Sequence, residues 1–276
     1  MNNFAVRTIS SVVFVLVMVF GLIWDRTAFG ALFLIIMVAA LTEFYGITLG
    51  QRYKVQQKLG VITGALAFLI VAAWKFFGLD IHYLALDVIP LLGIAVFSIF
   101  NGELDDFNDI SYIYAGLLYI ALPITLSPML VMDGDVFDGW LMLSLFILIW
   151  LSDAGAYCIG TAFGQKETSK KLAPKISPKK SWWGFWGGMA CCILAAVGLH
   201  FLTWLPFSLV HCMAIGAIVS AAGVAGDLFE SMWKRHFHVK DSGNCIPGHG
   251  GMLDRFDSSL VAIPLAAAYM IAFSLI

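Results

Sequence analysis

GDLFESMWKRHFHVKDSGNCIPGHGGMLDRFD (residues 226–257) is the densest run of ionisable residues in a chain that is otherwise mostly lipid-soluble. Read as a helix, Asp227, Glu230, Ser231 and Lys234 stand at i, i+3, i+4 and i+7 and share one face. Leu228, Phe229, Met232 and Trp233 take the other sides. Two acids and a lysine converging on one face at a membrane surface suit a divalent cation together with phosphate. Pro247, Gly248, His249, Gly250 and Gly251 then form a bend whose backbone N–H groups can approach a ligand closely. Asp254, Arg255 and Asp257 add two acids and a cation just before the last apolar segment. Charge alone would suit a solvated loop, but such a loop needs neither the helical spacing nor the glycine bend. Hard oxygen ligands alternating with Lys and Arg read as a site for Mg²⁺ and a polyphosphate.

Working outward, the 276 residues are 61% hydrophobic and 12% charged, with a net charge of −2. Mean hydropathy is +0.89. This composition belongs to an integral membrane protein rather than a soluble one. The five cysteines (158, 191, 192, 212 and 245) show no zinc or disulfide spacing and read mainly as buried thiols. The first apolar run lacks a cleavage site and reads as a retained span.

A helix needs about 20 apolar residues to cross a bilayer. Runs of that kind fall at about 8–24, 28–49, 59–78, 84–100, 110–130, 139–160, 182–204, 207–230 and 256–275, which predicts an all-α, polytopic protein with about nine spans. With the N-terminus inside, all but Arg26 and Lys75 of the sixteen Lys and Arg fall on the cytoplasmic side. Eight spans would break that set apart. The expected organisation is an N-terminal group of about five spans over 1–138. A catalytic region over 139–276 follows, with cytoplasmic loops at 163–182 and 231–255.

In the first half the one residue of note is Glu43. An acid at membrane depth is costly and is a functional candidate by default. Near the end of its segment, it is equally read as hydrated or bonded to a neighbouring helix. In the second half Asp153, Tyr157 and Gly160 share a helical face, with Asp153 toward the same side as the charged run. Gly155, Gly160 and Gly164 suit close helix packing. The loop from Lys166 to Lys180 holds six lysines. Ser177, Lys179 and Lys180, set between and after two prolines, read as phosphate-gripping residues. Lys166, Lys170 and Lys171 read mainly as attraction to anionic headgroups. The run Trp182, Trp183, Phe185 and Trp186 reads first as an interfacial belt.

These blocks carry a resemblance. Ser231, Lys234, Arg235, Lys240, Asp241, Gly243, residues 247–251, Asp254, Arg255 and Asp257 form S-x-x-K-R-x4-K-D-x-G-x3-P-G-H-G-G-x-x-D-R-x-D. That pattern resembles the signature of the CDP-diacylglycerol synthases (phosphatidate cytidylyltransferases). SDxxAYxxGxxFG from Ser152 and the stretch 173–188 look like further blocks of the same family. The likeness covers about 150–264 and is vague in the first half. Trp183 departs from it, since relatives carry Glu or Gln there.

The resemblance implies a membrane enzyme of phospholipid biosynthesis that condenses CTP with phosphatidic acid, giving CDP-diacylglycerol and pyrophosphate. It implies a requirement for Mg²⁺, with a second cation left open, and a homodimer with no nucleic-acid partner. The expected location is the bacterial inner membrane, with the site facing the cytoplasm. Asp227, Asp254 and Asp257 would hold metal, and Lys234 and Arg255 would complete the catalytic set. Asp153, Ser177, Lys179, Lys180, Glu230, Ser231, Lys240, Asp241, His249 and Gly250 would bind substrate. A carrier of phosphorylated solutes or divalent cations is the alternative of another class. Clustering of ionisable residues on one side argues against it. A related enzyme with another lipid acceptor also remains open at this point.

Overall fold

The computed structural model describes residues 3–100, 107–166, 169–245 and 250–276. Its helices in chain order are α1 (Asn3–Ile23), α2 (Arg26–Thr48), α3 (Lys54–Phe77), α4 (Val88–Phe100), α5 (Phe107–Gly116), α6 (Leu122–Leu126) and α7 (Trp140–Phe163). Then come α8 (Trp182–Phe201), α9 (Leu209–His236), α10 (Leu253–Phe256) and α11 (Ser259–Ala272). Among the described residues, eight helical segments are long and apolar enough to span a bilayer, and the apolar part of α1, Thr8–Ile23, is a shorter ninth. The protein is thus an all-α polytopic membrane protein.

Local chemistry sets the helix ends. Asp25 caps α2 by accepting N–H bonds from Thr27 and Ala28. Hydrogen bonds from the Thr27 side chain and backbone hold its carboxyl below the ordinary aspartate value. Gly78, at φ 71°, closes α3 in the left-handed conformation. The span at Asp109–Leu130 is not one regular helix. A π turn at Leu117–Ala121 separates α5 from α6 and ends two residues before Pro123, which has no N–H to give.

The chain divides into two units, Met1–Gly139 with Val239–Arg255, and Trp140–His238 with Phe256–Ile276. In the first, α1–α6 surround an aromatic core in which Phe29 stacks on Phe33 at 4.2 Å and meets Phe76 edge-on. A two-residue hairpin, β1 (Met132–Asp133) with β2 (Val136–Phe137), adds Phe137 to that core. Tyr45 is wholly buried and donates its hydroxyl to the Ile113 carbonyl at 2.9 Å. Its ring fits only because its neighbours are glycines. A Cβ on Gly60 would lie 2.7 Å from the Tyr45 oxygen, and one on Gly116 would lie 2.6 Å from Cε1.

The second unit packs α7, α8, α9 and α11 through small residues. Gly155 lies against Cys191, and Gly160 lies against Gly184. Gly164 lies against Ser181, so all three glycines do the packing work expected of them. Gly188 admits the Ser152 carbonyl, and Ser152 shares a 2.8 Å hydroxyl bond with Ser220 of α9. The lysine stretch, expected as a cytoplasmic loop, contains an antiparallel hairpin, β3 (Lys171–Ala173) with β4 (Ser177–Ser181). Ser181 then caps α8 by accepting the Gly184 N–H. The cysteines are free thiols. Cys192 and Cys212 are buried as expected, whereas Cys158 and Cys245 are exposed.

Gly116→Ala should drive the Tyr45 ring from its slot and cost roughly 1–3 kcal/mol. Gly46→Ala, which meets nothing within 4 Å, should leave stability unchanged or slightly raised. Thermal melts in detergent read both.

Candidate active site

In the second unit, the face foreseen on α9 forms as the spacing requires. The Ser231 hydroxyl donates to Asp227 Oδ1 at 3.2 Å, and Lys234 Nζ donates to Glu230 Oε2 at 3.0 Å. Glu230 is 1% exposed, so its charge lies out of water and depends on Lys234, whose side chain is itself 12% exposed. Asp257 stands close to Glu230 and within electrostatic reach of Asp227 and Lys234. This meeting requires Gly226. A Cβ there would lie 2.4 Å from the Asp257 carbonyl oxygen, so glycine lets α9 close on the segment that carries Asp257.

Lys180 reaches α9 from β4 and places its Nζ 2.5 Å from Asp227 Oδ2. Asp153, Lys179, Lys180 and Asp227 line one cavity of about 580 Å³, walled on its apolar side by Tyr157 and Phe185. The acids of α7 and α9 and the lysines of β4 therefore meet, although they are far apart in sequence. Phe185 turns into the cavity, while Trp182, Trp183 and Trp186 of the same run are exposed, as an interfacial belt would be.

The hairpin is braced from below. Gln165 Nε2 donates to the Lys179 carbonyl at 3.0 Å. Lys171 Nζ donates to the Gly164 carbonyl at 2.8 Å and to Gln165 Oε1 at 3.1 Å. Lys171, expected mainly to attract headgroups, is a structural tie. Ser177 opens β4 opposite Ala173, half-buried. Gln165 gave no sequence signal, because a lone glutamine after a glycine looks like any loop residue.

The remaining candidates belong to the first unit. Lys240, Asp241 and Arg255 are exposed. Asp254 Oδ2 accepts the N–H groups of Ser242 and Gly251, both at 2.8 Å. Of the bend expected to offer donors to phosphate, the Gly251 N–H is thus given to Asp254. Gly250 adopts φ 88°. Pro247, Gly248 and His249 lie outside the described residues. Glu43 is bonded to this same loop, through Ser242, Met252 and Leu253. Ser242 was missed by the sequence reading, since it stands at a variable position of the signature.

Among the described residues, no three His, Cys, Asp or Glu side chains are placed as a ready metal cage. Mg²⁺ does not ask for one, because it commonly takes one or two carboxylates together with substrate phosphates and waters. Asp227 fits that demand. Its Oδ2 already accepts a cation, the Lys180 ammonium, and Asp257 stands beside it. The donor set is thus suited to Mg²⁺ arriving with a polyphosphate.

The chain matches the cytidylyltransferase family over residues 5–273. It is 32% identical over 208 residues to a phosphatidate cytidylyltransferase of Bacillus subtilis (strain 168), covering 75% of this chain and 76% of that one. A Rickettsia felis protein of the same name is 38% identical over 165 residues, covering 58% of this chain and 70% of that one. One from Staphylococcus epidermidis (strain ATCC 12228 / FDA PCI 1200) is 44% identical over 124 residues, covering 45% and 46%.

Lys234→Met should leave Glu230 buried without its cation and destabilise the protein by roughly 3–5 kcal/mol. Adding Glu230→Gln to that variant should recover much of the loss. Chemical or thermal unfolding in detergent measures both.

Proposed function

The chain belongs to the cytidylyltransferase family, and on that footing we propose that it condenses CTP with phosphatidic acid in the membrane. The products are CDP-diacylglycerol and pyrophosphate. The observation that carries this reading is the cavity in the second unit, where Lys179 and Lys180 face Asp153 and Asp227 on membrane helices.

A phosphate oxygen of the lipid attacks the α-phosphorus of CTP and forms the new P–O bond. The bond from the α-phosphorus to the bridging oxygen breaks, and pyrophosphate leaves with its electron pair. Such transfers ask a protein mainly for positioning and charge neutralisation. Lys179 and Lys180 supply cations for the phosphates. Arrival of a triphosphate gives Lys180 an alternative anion to Asp227. Asp227, with Asp257 beside it, would hold Mg²⁺, which when bound neutralises charge on the triphosphate. Glu230 and Lys234 fix the helical face that presents Asp227, and Ser231 holds its other oxygen. The lipid phosphate is already ionised near neutral pH, so no general base is needed. Tyr157 and Phe185 give the cavity an apolar wall suited to a base or to acyl carbons.

The metal-ligand role for Asp254, the homodimer and the second cation are parts of the same proposal. The Asp254 role and the homodimer are supported by the family likeness, and the second cation is left open. A site facing the cytoplasm of a bacterial membrane is supported by the placement of Lys and Arg and by the bacterial relatives.

Purified protein given CTP radiolabelled at the α-phosphate, phosphatidic acid and Mg²⁺ should move label into extractable lipid and release an equal amount of pyrophosphate. Omitting any one of the three should stop both. Asp227→Asn should lower turnover at least 100-fold. Label transfer to another lipid acceptor but not to phosphatidic acid would contradict the substrate, and a fully active Asp227→Asn would contradict the site.

A further inference from the structure

Glu43 and the loop it holds all lie in the first unit. Glu43 Oε1 accepts the Met252 N–H at 2.9 Å. Its Oε2 accepts the Leu253 N–H at 2.9 Å and the Ser242 hydroxyl at 3.0 Å. Ser242 works in both directions, because its Oγ also accepts the Asp254 N–H at 3.3 Å while its own N–H donates to Asp254 Oδ2 at 2.8 Å. One carboxylate from α2 thus ties down both ends of the segment 242–253, and the same serine fixes Asp254.

Two glycines of the segment, Gly243 and Gly251, are explained by this carboxylate. A Cβ on Gly243 would lie 2.7 Å from Glu43 Oε1 and 2.9 Å from its Cδ, with no third party among its three nearest atoms. A Cβ on Gly251 would meet Glu43 Oε2 and the Ser242 oxygen, both well inside contact distance. A Cβ on Gly250 would lie 2.5 Å from Asp254 Oδ2, and the φ of 88° there strains any other residue. Glycines of a phosphate-binding loop are ordinarily small for the ligand's sake. Gly243 and Gly251 are small for the sake of an acid on a membrane helix.

We propose that Glu43 is a positioning residue of the reaction: it anchors the loop ends at Ser242 and at Met252–Leu253 and thereby sets the direction of Asp254. Its role in turnover rests on the function proposed above, whereas the anchoring itself does not. A carboxylate is required because all three of its partners are donors. An amide in its place would turn its own N–H₂ toward at least one of them.

The test uses the full-length protein in detergent and reads amide hydrogen exchange beside kinetics. Glu43→Gln should speed exchange of the Gly251, Met252 and Leu253 amides at least tenfold, with protection of α7 to α9 unchanged. It should lower kcat at least tenfold while KM for CTP moves less than threefold, because the lysines that meet the nucleotide are untouched. Glu43→Asp keeps both oxygens and should recover part of kcat. Gly243→Ala should reproduce the loss, and combining it with the shorter Glu43→Asp should cost less than the product of the two separate losses. Unchanged loop exchange in Glu43→Gln would overturn the anchoring. A loosened loop with full turnover would overturn its role in the reaction, as would a kcat loss matched by loss of folded protein. If the wild-type protein turns over no CTP while the exchange pattern holds, the reaction assignment fails and the anchoring stands.

Discussion

A carboxylate carried on a membrane helix is tolerated only when something nearby answers its charge, and this requirement is met at Glu230, Asp227 and Glu43. Glu230 is answered by Lys234 within α9, Asp227 by Lys180 from the hairpin, and Glu43 by two backbone amides and a hydroxyl. The three differ in what they can do next. Glu230 and Lys234 are shielded from water and locked together, so they serve as framework. Lys180 and Asp227 line a cavity and remain partly exposed, so a phosphate and a cation can compete for them. The same physics therefore gives a fixed pair and an exchangeable pair one helical turn apart.

Close backbone approach is the second condition. Segments come closest where the chain lacks side chains: Gly226 beside the Asp257 carbonyl, Gly243 and Gly251 beside Glu43, Gly160 and Gly164 beside the α8 cap. In lipid there is no hydrophobic drive between helices, so small residues decide where helices touch. Here they also decide where charge can be gathered. In the proposed reaction the lipid would arrive sideways and the nucleotide from water, and charged residues tethered to membrane helices suit both.

The spans were readable from hydropathy alone, since about 20 apolar residues in a row leave few other options. The face of α9 was readable because the period of a helix is fixed, and Asp227, Glu230, Ser231 and Lys234 obey it. Other features carried no such imprint. The hairpin was hidden by its shortness and by Pro174 and Pro178, which read as loop. Ser242 was invisible because a loop serine has no pattern. Glu43 stood out as costly, yet its partners lie about 200 residues away and nothing local names them. The glycines of the signature pointed to a ligand, whereas two of them are shaped by Glu43. Patterns that repeat along one element could be read, and contacts between distant segments could not.

In the reaction proposed above, the cavity bearing Lys180 and Asp227 receives the nucleotide phosphates, with Lys180 passing from the carboxylate to the phosphate. Equilibrium binding of CTP to the purified protein without lipid tests it most directly, comparing wild type with Lys180→Met. CTP should bind the variant at least tenfold more weakly, with binding of phosphatidic acid alone changed less. Equal CTP affinity in a folded Lys180→Met protein would contradict it and would place the triphosphate elsewhere.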